Sequence, residues 1–67
     1  MTLHEAMIEV LRDAGAPMTS REIADVLNAR QLYRRRDGRP LAAGQVSARA
    51  RNYDRLFIRT TSQIHLR

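Results

Sequence analysis

The sequence contains no cysteine and no lysine, and only three of its 67 residues are aromatic. Without cysteine, neither a disulfide framework nor a thiolate metal site can support the fold. With so few aromatic side chains, the chain lacks the stacking surface on which single-strand-binding proteins hold successive bases. These absences argue against a disulfide-stabilised protein and against a binder of single-stranded nucleic acid.

Long apolar runs are missing as well. No stretch of the sequence approaches the length needed to span a membrane, and the first residues lack the apolar segment of a signal peptide. The Arg-rich part is not an amphipathic helix with a broad apolar face, which argues against a membrane surface as partner. We therefore expect a cytoplasmic, nucleoid-associated protein.

The residues that usually carry chemistry are present but isolated. The three glycines are scattered, so no glycine-rich phosphate loop exists, and His4 and His65 lack the paired spacing of a metal site. Capping or hydrogen bonding explains Ser20 and Ser47 better than nucleophilic chemistry does. The sequence predicts no enzyme, no cofactor, no metal and no small-molecule substrate.

Positive charge is concentrated in the second part of the chain. From Arg30 onward there are ten arginines and two acids, a net charge of +8, whereas residues 1–29 carry two arginines and five acids, a net charge of −3. Such segregation is typical of a chain that presents its basic part to a polyanion. All twelve positive side chains are arginine, whose guanidinium group can donate two hydrogen bonds at once to a phosphate or to the edge of a guanine. The alternative is that a GC-rich coding sequence favours Arg codons and that this surface is merely solvated.

Two capping boxes predict the first two helices. Thr2 and Glu5 begin a helix over residues 3–14, which Gly15 ends, and Thr19 and Glu22 begin a second over residues 20–29. Met18, directly before the second cap, is placed to pack against Ile23. The connection that follows, residues 31–41, has no helical periodicity and is too long for a plain helix-turn-helix.

A third helix and a hairpin complete the predicted fold. Because Pro40 disfavours a helical conformation at Arg39, the third helix is expected to begin after it, over about 42–53. Two β-prone runs near 57–60 and 63–66 predict a hairpin at the end of the chain. The order is that of a single winged helix-turn-helix domain over residues 1–67, mainly α with a small β-hairpin. The expected core is Leu3, Met7, Val10, Leu11, Ile23, Leu27, Leu32, Val46, Phe57, Ile64 and Leu66.

The outward face of the third helix suits recognition of base edges. Ala43, Val46, Ala50 and Tyr53 share the apolar face, and the opposite face carries Arg, which can read guanine, together with Gln and Asn, which can read adenine. The alternative is that any solvated helix face shows such residues. The candidate DNA-binding side chains of this helix and of the residues after it are Gln45, Ser47, Arg49, Arg51, Asn52, Arg55 and, on the hairpin, Arg59.

The arginines between the second and third helices are expected to contact phosphates, which position a protein without reading sequence. They are Arg34, Arg35, Arg36 and Arg39. The alternatives are a role in solubility, or pairing with the acids of the first two helices. Tyr33, beside them, is expected to fill the core rather than to stack on a base.

Several of these segments resemble the HARE-type helix-turn-helix domain. They are Leu3, Ala6, Val10-Leu11, Ala14-Gly15, Leu32-Tyr33, Val46-Ser47-Ala48, Phe57 and Leu66, with residues 17–24, PMTSREIA, as the sharpest piece. The resemblance covers nearly the whole chain. That domain is a compact winged helix found in additional-sex-combs-like chromatin proteins, in bacterial RNA polymerase delta subunits and fused to restriction endonucleases. The chain departs from it in lacking a wing glycine and in carrying a triple-arginine loop.

We expect duplex DNA as partner and a role in transcription regulation. The resemblance implies DNA binding or docking onto a DNA-associated complex, which leaves two functions open. The first is a DNA-binding module that uses the third helix, the Arg-rich connection and the hairpin. The second is a protein-interaction adaptor that docks on an RNA polymerase, chromatin or another DNA-associated complex. The charge distribution favours the first, whereas the acidic first two helices are a possible docking surface for the second.

Overall fold

The computed structural model describes all residues 1–67 as three helices followed by a two-stranded antiparallel hairpin. The elements are α1 (Leu3–Ala14), α2 (Ser20–Arg30), α3 (Ala43–Asn52), β1 (Phe57–Arg59) and β2 (Ile64–Leu66). This is the small winged helix-turn-helix that the sequence predicts, with helix bounds within a residue of those expected and with shorter strands. None of the three helices is long and apolar enough to cross a membrane.

Both predicted capping boxes are confirmed at the starts of α1 and α2. The hydroxyl of Thr2 accepts the backbone N–H of Glu5 at 3.3 Å, and the Thr2 N–H donates to the Glu5 carboxylate at 2.8 Å. Thr19 and Glu22 repeat the exchange at 3.0 and 2.8 Å. The hydrogen bond from the Thr2 backbone favours the charged carboxylate and so lowers the pKa of Glu5 below its usual value. Each box satisfies helix-terminal N–H groups that would otherwise lack partners.

The two helix ends are built differently. Gly15 ends α1 with a φ of 67°, and its N–H donates to the carbonyl of Leu11 at 3.0 Å, as the sequence predicts. Gln31 ends α2 with a φ of 55°, the only non-glycine residue of the chain with positive φ. This conformation is uncommon for a residue with a side chain, so the sequence contains no signal for it.

Thirteen apolar residues form one core between the helices and the hairpin. They are Leu3, Ala6, Met7, Val10, Leu11, Ile23, Ala24, Leu27, Leu41, Val46, Ala50, Phe57 and Ile64. Nine of the eleven residues expected in the core are among them. Leu32 is only half-buried, and the assignment of Leu66 is wrong, because this side chain at the end of the hairpin is 36% exposed. Leu41, which the sequence analysis did not place in the core, is buried.

A short backbone bridge holds the hairpin against the helices. β1 and β2 pair with Phe57 opposite Leu66 and Arg59 opposite Ile64. On the other edge of β2, Ile64 donates to the carbonyl of Met18 at 2.7 Å and accepts the Met18 N–H at 3.1 Å. Since Met18 itself packs against the core, the wing (β1, β2 and the turn between them) is fixed relative to α1 and α2.

Candidate functional site

The Arg-rich connection between α2 and α3 is anchored at its far end by one side chain of α2. We call residues 31–42 the basic loop. Asn28 accepts the N–H of Leu41 at 2.9 Å and donates to its carbonyl at 3.0 Å, so its amide pairs with both backbone groups of that residue. The Leu41 side chain is then buried in the core, only 5% exposed. These contacts set where α3 begins.

The near end of the basic loop is held by apolar packing. The N–H of Leu32 donates to the carbonyl of Leu27 at 3.2 Å, directly after the left-handed Gln31. Leu32 and Tyr33 are both half-buried and pack against the core. Tyr33 therefore fills the edge of the core, as predicted. The residues from Arg34 to Pro40 form the outer part of the basic loop, between two ends that are anchored to the core.

Three of the four arginines in the outer part of the basic loop have no partner within the chain. Arg34, Arg36 and Arg39 are exposed, and their guanidinium groups make no hydrogen bond or salt bridge within the chain. Pairing with the acids of the first two helices, one of the alternatives above, occurs at a different position, where Arg30 contacts Asp13 at 3.0 Å. The positive charge of the basic loop is thus mostly available to an external partner.

Arg35 differs from its neighbours because it has internal partners. Its guanidinium donates to the carboxylate of Asp37 at 2.8 Å and to the Gln45 side-chain oxygen at 3.3 Å, and its side chain is only 29% exposed. The same oxygen of Gln45 also accepts the N–H of Ala42, the residue before α3, at 3.1 Å. Arg35 therefore joins the basic loop to the first turn of α3.

The two faces of α3 are those that the helical wheel predicts. Val46 and Ala50 are buried, whereas Arg51 and Asn52 are exposed. Gly44, Gln45 and Ala48 are exposed on the same outer side. Since Gly44 and Ala48 carry little or no side chain, the middle of this face offers close approach to the helix backbone.

Ser47 and Arg49, both candidate DNA-binding residues of α3, have partners within the protein. Ser47 is half-buried, and its hydroxyl forms a hydrogen bond with the hydroxyl of Ser20 at the start of α2. The two serines therefore have the hydrogen-bonding role that the sequence analysis expected. The Arg49 guanidinium lies 5.7 Å from the ring centroid of Tyr53, within the range of a cation–π contact. The serine pair braces α3 against α2, whereas the Arg49–Tyr53 contact lies within the end of α3 itself.

The same tyrosine also contacts α1. The rings of His4 and Tyr53 stack with centroids 4.0 Å apart, at an interplanar angle of 21°. His4 is therefore half-buried rather than a plain surface residue. Tyr53, which the wheel places on the apolar face, lies after the last residue of α3 and is 36% exposed, unlike the buried Val46 and Ala50. The stack fixes the end of α3 against the start of the chain.

The wing lies beside α3, and two surface clefts run between the wing and the helices. A groove of about 300 Å³ between α3 and β1 is lined by Arg51, Asp54, Arg59 and Arg67 together with apolar side chains. A smaller cleft of about 110 Å³ lies between Ser20, Ser47 and the turn at residues 60–63. Arg55 and Arg59 are exposed and have no partner within the chain. The structure thus brings arginines of α3 and of the wing to one groove.

The acids of the chain do little to neutralise this surface. Glu5 and Glu22 cap helices, Asp13 pairs with Arg30, and Asp37 pairs with Arg35. No group of three or more His, Asp or Glu side chains has an arrangement that could hold a metal ion. Six exposed arginines of the basic loop, of α3 with the residues after it, and of the wing have no partner within the chain, and one acid with an unpaired carboxylate, Asp54, lies beside them; the six are Arg34, Arg36, Arg39, Arg51, Arg55 and Arg59.

A protein-family model matches the chain over residues 1–67, its entire length. The chain belongs to this family, HARE-HTH, a helix-turn-helix domain whose description names ASXL proteins and restriction endonucleases. Searches among curated proteins and among solved structures give no significant match. The family assignment agrees with the resemblance seen in the sequence and with the three helices and hairpin of the structure.

Proposed function

Because the chain belongs to the HARE-HTH family of helix-turn-helix domains, we propose that it binds duplex DNA through α3, the basic loop and the wing. The observation that carries the proposal is the set of exposed, unpaired arginines on these three elements. Arginine is suited to phosphate and to guanine edges, and a surface of one sign attracts a polyanion. Family membership supports DNA binding in general, and the surface suggests how this chain does it.

In the proposed complex, α3 enters the major groove, the usual position of the recognition helix in this architecture. Arg51 and Asn52 project from its outer face toward base edges, and Gly44 and Ala48 let the backbone approach. Gln45 has its side-chain oxygen engaged by Ala42 and Arg35, so only its amide donors remain for a base. Ser47 and Arg49 act from the flanks, where they support the helix.

The phosphate contacts of the proposed complex lie on either side of α3. Arg34, Arg36 and Arg39 reach the backbone from the basic loop, while Arg55 and Arg59 reach it from the end of α3 and from the wing. Such contacts fix register and orientation without reading sequence. Because the two ends of the loop and the wing are anchored to the core, these arginines are held in a defined arrangement before DNA arrives.

A second candidate function is an adaptor that docks on a DNA-associated protein. It is favoured by Glu9 on α1 and Asp25 on α2, which are both exposed and form no salt bridge within the chain. An acidic surface of this kind suits a basic partner. It is compatible with DNA binding, since it lies on other helices than the proposed DNA-binding face.

Competition between polyanions tests the proposal directly. A labelled duplex of random sequence is titrated with the protein at low salt, and unlabelled duplex, single-stranded DNA and an acidic peptide are added as competitors. We expect the duplex to bind and to be displaced best by unlabelled duplex, because a single strand has no major groove for α3. Absence of duplex binding, with direct binding of a labelled basic peptide in a separate titration, would favour the adaptor function.

Replacement of Arg51 by Ala tests whether α3 reads bases. On a preferred site selected from a random pool, the loss should be roughly 1 to 3 kcal/mol, and it should be much smaller on an arbitrary duplex. Arg12→Ala removes the same charge from the exposed side of α1 and serves as the matched control. Equal losses for Arg51→Ala on all duplexes would show that α3 contacts only phosphates.

A further inference from the structure

One acid lies in the middle of the basic surface. Asp37 is the only acidic residue between Arg30 and Tyr53, and arginines stand on both sides of it. By charge alone it should weaken the attraction of this surface for DNA, because it repels phosphates. Its contacts within the chain suggest the opposite role.

Asp37 organises the turn that carries the free arginines. One of its carboxylate oxygens accepts the guanidinium of Arg35 at 2.8 Å, and the other accepts the backbone N–H of Arg39 at 3.0 Å. Gly38, with a φ of 75°, donates its N–H to the carbonyl of Arg35 at 3.1 Å and closes the same turn. A single carboxylate thus fixes both the side chain that precedes it and the backbone that follows it.

Through Arg35 this turn is also tied to α3. The Arg35 guanidinium spans from Asp37 to the side-chain oxygen of Gln45, which caps the first turn of α3 by accepting the N–H of Ala42. The planar fork of arginine can serve two acceptors in different directions, which the ammonium of lysine does less well. The conformation of the basic loop and the start of α3 are therefore coupled by one side chain.

We propose that Asp37 and Arg35 are positioning residues that hold Arg34, Arg36 and Arg39 in their DNA-binding arrangement, so that this acid strengthens DNA binding despite its negative charge. The inference rests on the proposed function. A loop that is already ordered loses less conformational entropy on binding than a mobile one, and the difference adds to affinity. Arg35, on this view, contributes through Asp37 and Gln45 and makes no phosphate contact of its own.

The decisive variant is Asp37→Ala, compared with Asp54→Ala. Asp54 is exposed in the same basic part of the chain, and its carboxylate has no hydrogen-bond partner, so its removal changes only charge. We expect Asp37→Ala to bind random duplex about three- to tenfold more weakly than the unchanged protein, from the cost of ordering the loop. We expect Asp54→Ala to bind as tightly or more tightly.

Two further variants distinguish the effects of the individual contacts that Asp37 and Arg35 make. Asp37→Asn keeps an oxygen for the Arg39 N–H but removes the ion pair, so an intermediate loss is expected. Arg35→Lys keeps the charge but not the fork, and it should bind as weakly as Asp37→Ala if Arg35 positions the loop. The loss should be similar at low and high salt, because the number of phosphate contacts is unchanged. Unchanged thermal melting would exclude general unfolding as its cause.

Trypsin gives a readout that does not depend on DNA. Cleavage after Arg34 and Arg36 should be faster in Asp37→Ala than in Asp54→Ala, since only the first variant releases the turn. If the unchanged protein binds DNA but Asp37→Ala binds more tightly, or Arg35→Lys binds normally, the positioning role is wrong while the proposed function stands. If the unchanged protein does not bind duplex at all, the proposed function itself fails.

Discussion

Truncation of Ile23 to Ala is expected to lower the free energy of unfolding by about 2 to 5 kcal/mol, the usual loss for a buried Ile or Leu. Ile23 lies in the first half of α2, is fully buried, and belongs to the core cluster that joins the helices to the hairpin. A chain of 67 residues has a total stability of roughly 3 to 10 kcal/mol. This single change can therefore remove most of the stability of the fold.

Thermal and urea unfolding, followed by circular dichroism, measure this loss. Ile58→Ala is the matched control, because it removes the same atoms from a side chain that is 41% exposed on β1. Leu11 and Leu66, 3% and 36% exposed, form a second pair of the same kind. We expect each exposed member to cost roughly 0.5 to 1 kcal/mol. Equal losses for Ile23→Ala and Ile58→Ala would mean that the core is not where the structure places it.

The parts of the fold that could be predicted are those specified by neighbouring residues. A capping box needs only residues three positions apart, so Thr2 and Thr19 marked the starts of α1 and α2 correctly. Gly15 marked an end in the same way. The periodicity of apolar residues identified most of the core for the same reason, since a helical face is defined within a few turns.

The parts that could not be predicted depend on residues far apart in the chain. Leu41 is buried because Asn28, thirteen positions earlier, pairs with its backbone, and nothing in the local sequence indicates this. The bridge between Met18 and Ile64 joins positions 46 apart. Leu66 follows the alternating pattern of a buried strand, but it lies at the end of the hairpin and stays partly exposed.

The candidate site shows the same division. The outward position of Arg51 and Asn52 follows from the helical wheel and could be predicted. The side chain of Arg35 could not be distinguished from those of Arg34 and Arg36, because its partner Gln45 is ten positions away across the loop. Charge and composition identify which segment carries the arginines. Only the fold separates the free arginines from those engaged within the protein.

The affinity for random duplex is expected to fall steeply with salt. Each phosphate neutralised on duplex DNA contributes about −0.9 to the slope of log K against log salt, so five contacts give roughly −4.5. The five proposed contacts are the free arginines Arg34, Arg36, Arg39, Arg55 and Arg59. With that slope, raising salt from about 50 to 200 mM weakens binding roughly 500-fold. Fluorescence anisotropy at four or five salt concentrations measures it.

Variants of the free arginines show whether these residues make the contacts. Replacement of Arg34 and Arg36 together by Ala should reduce the magnitude of the slope by about 2, one for each lost phosphate contact. The slope should stay unchanged in Arg12→Ala, because this arginine lies on α1 outside the proposed interface. A slope near zero in the unchanged protein would contradict phosphate-dominated binding. A steep slope that survives the double replacement would place the contacts on other arginines, with Arg21 on α2 and Arg67 after β2 the next to replace.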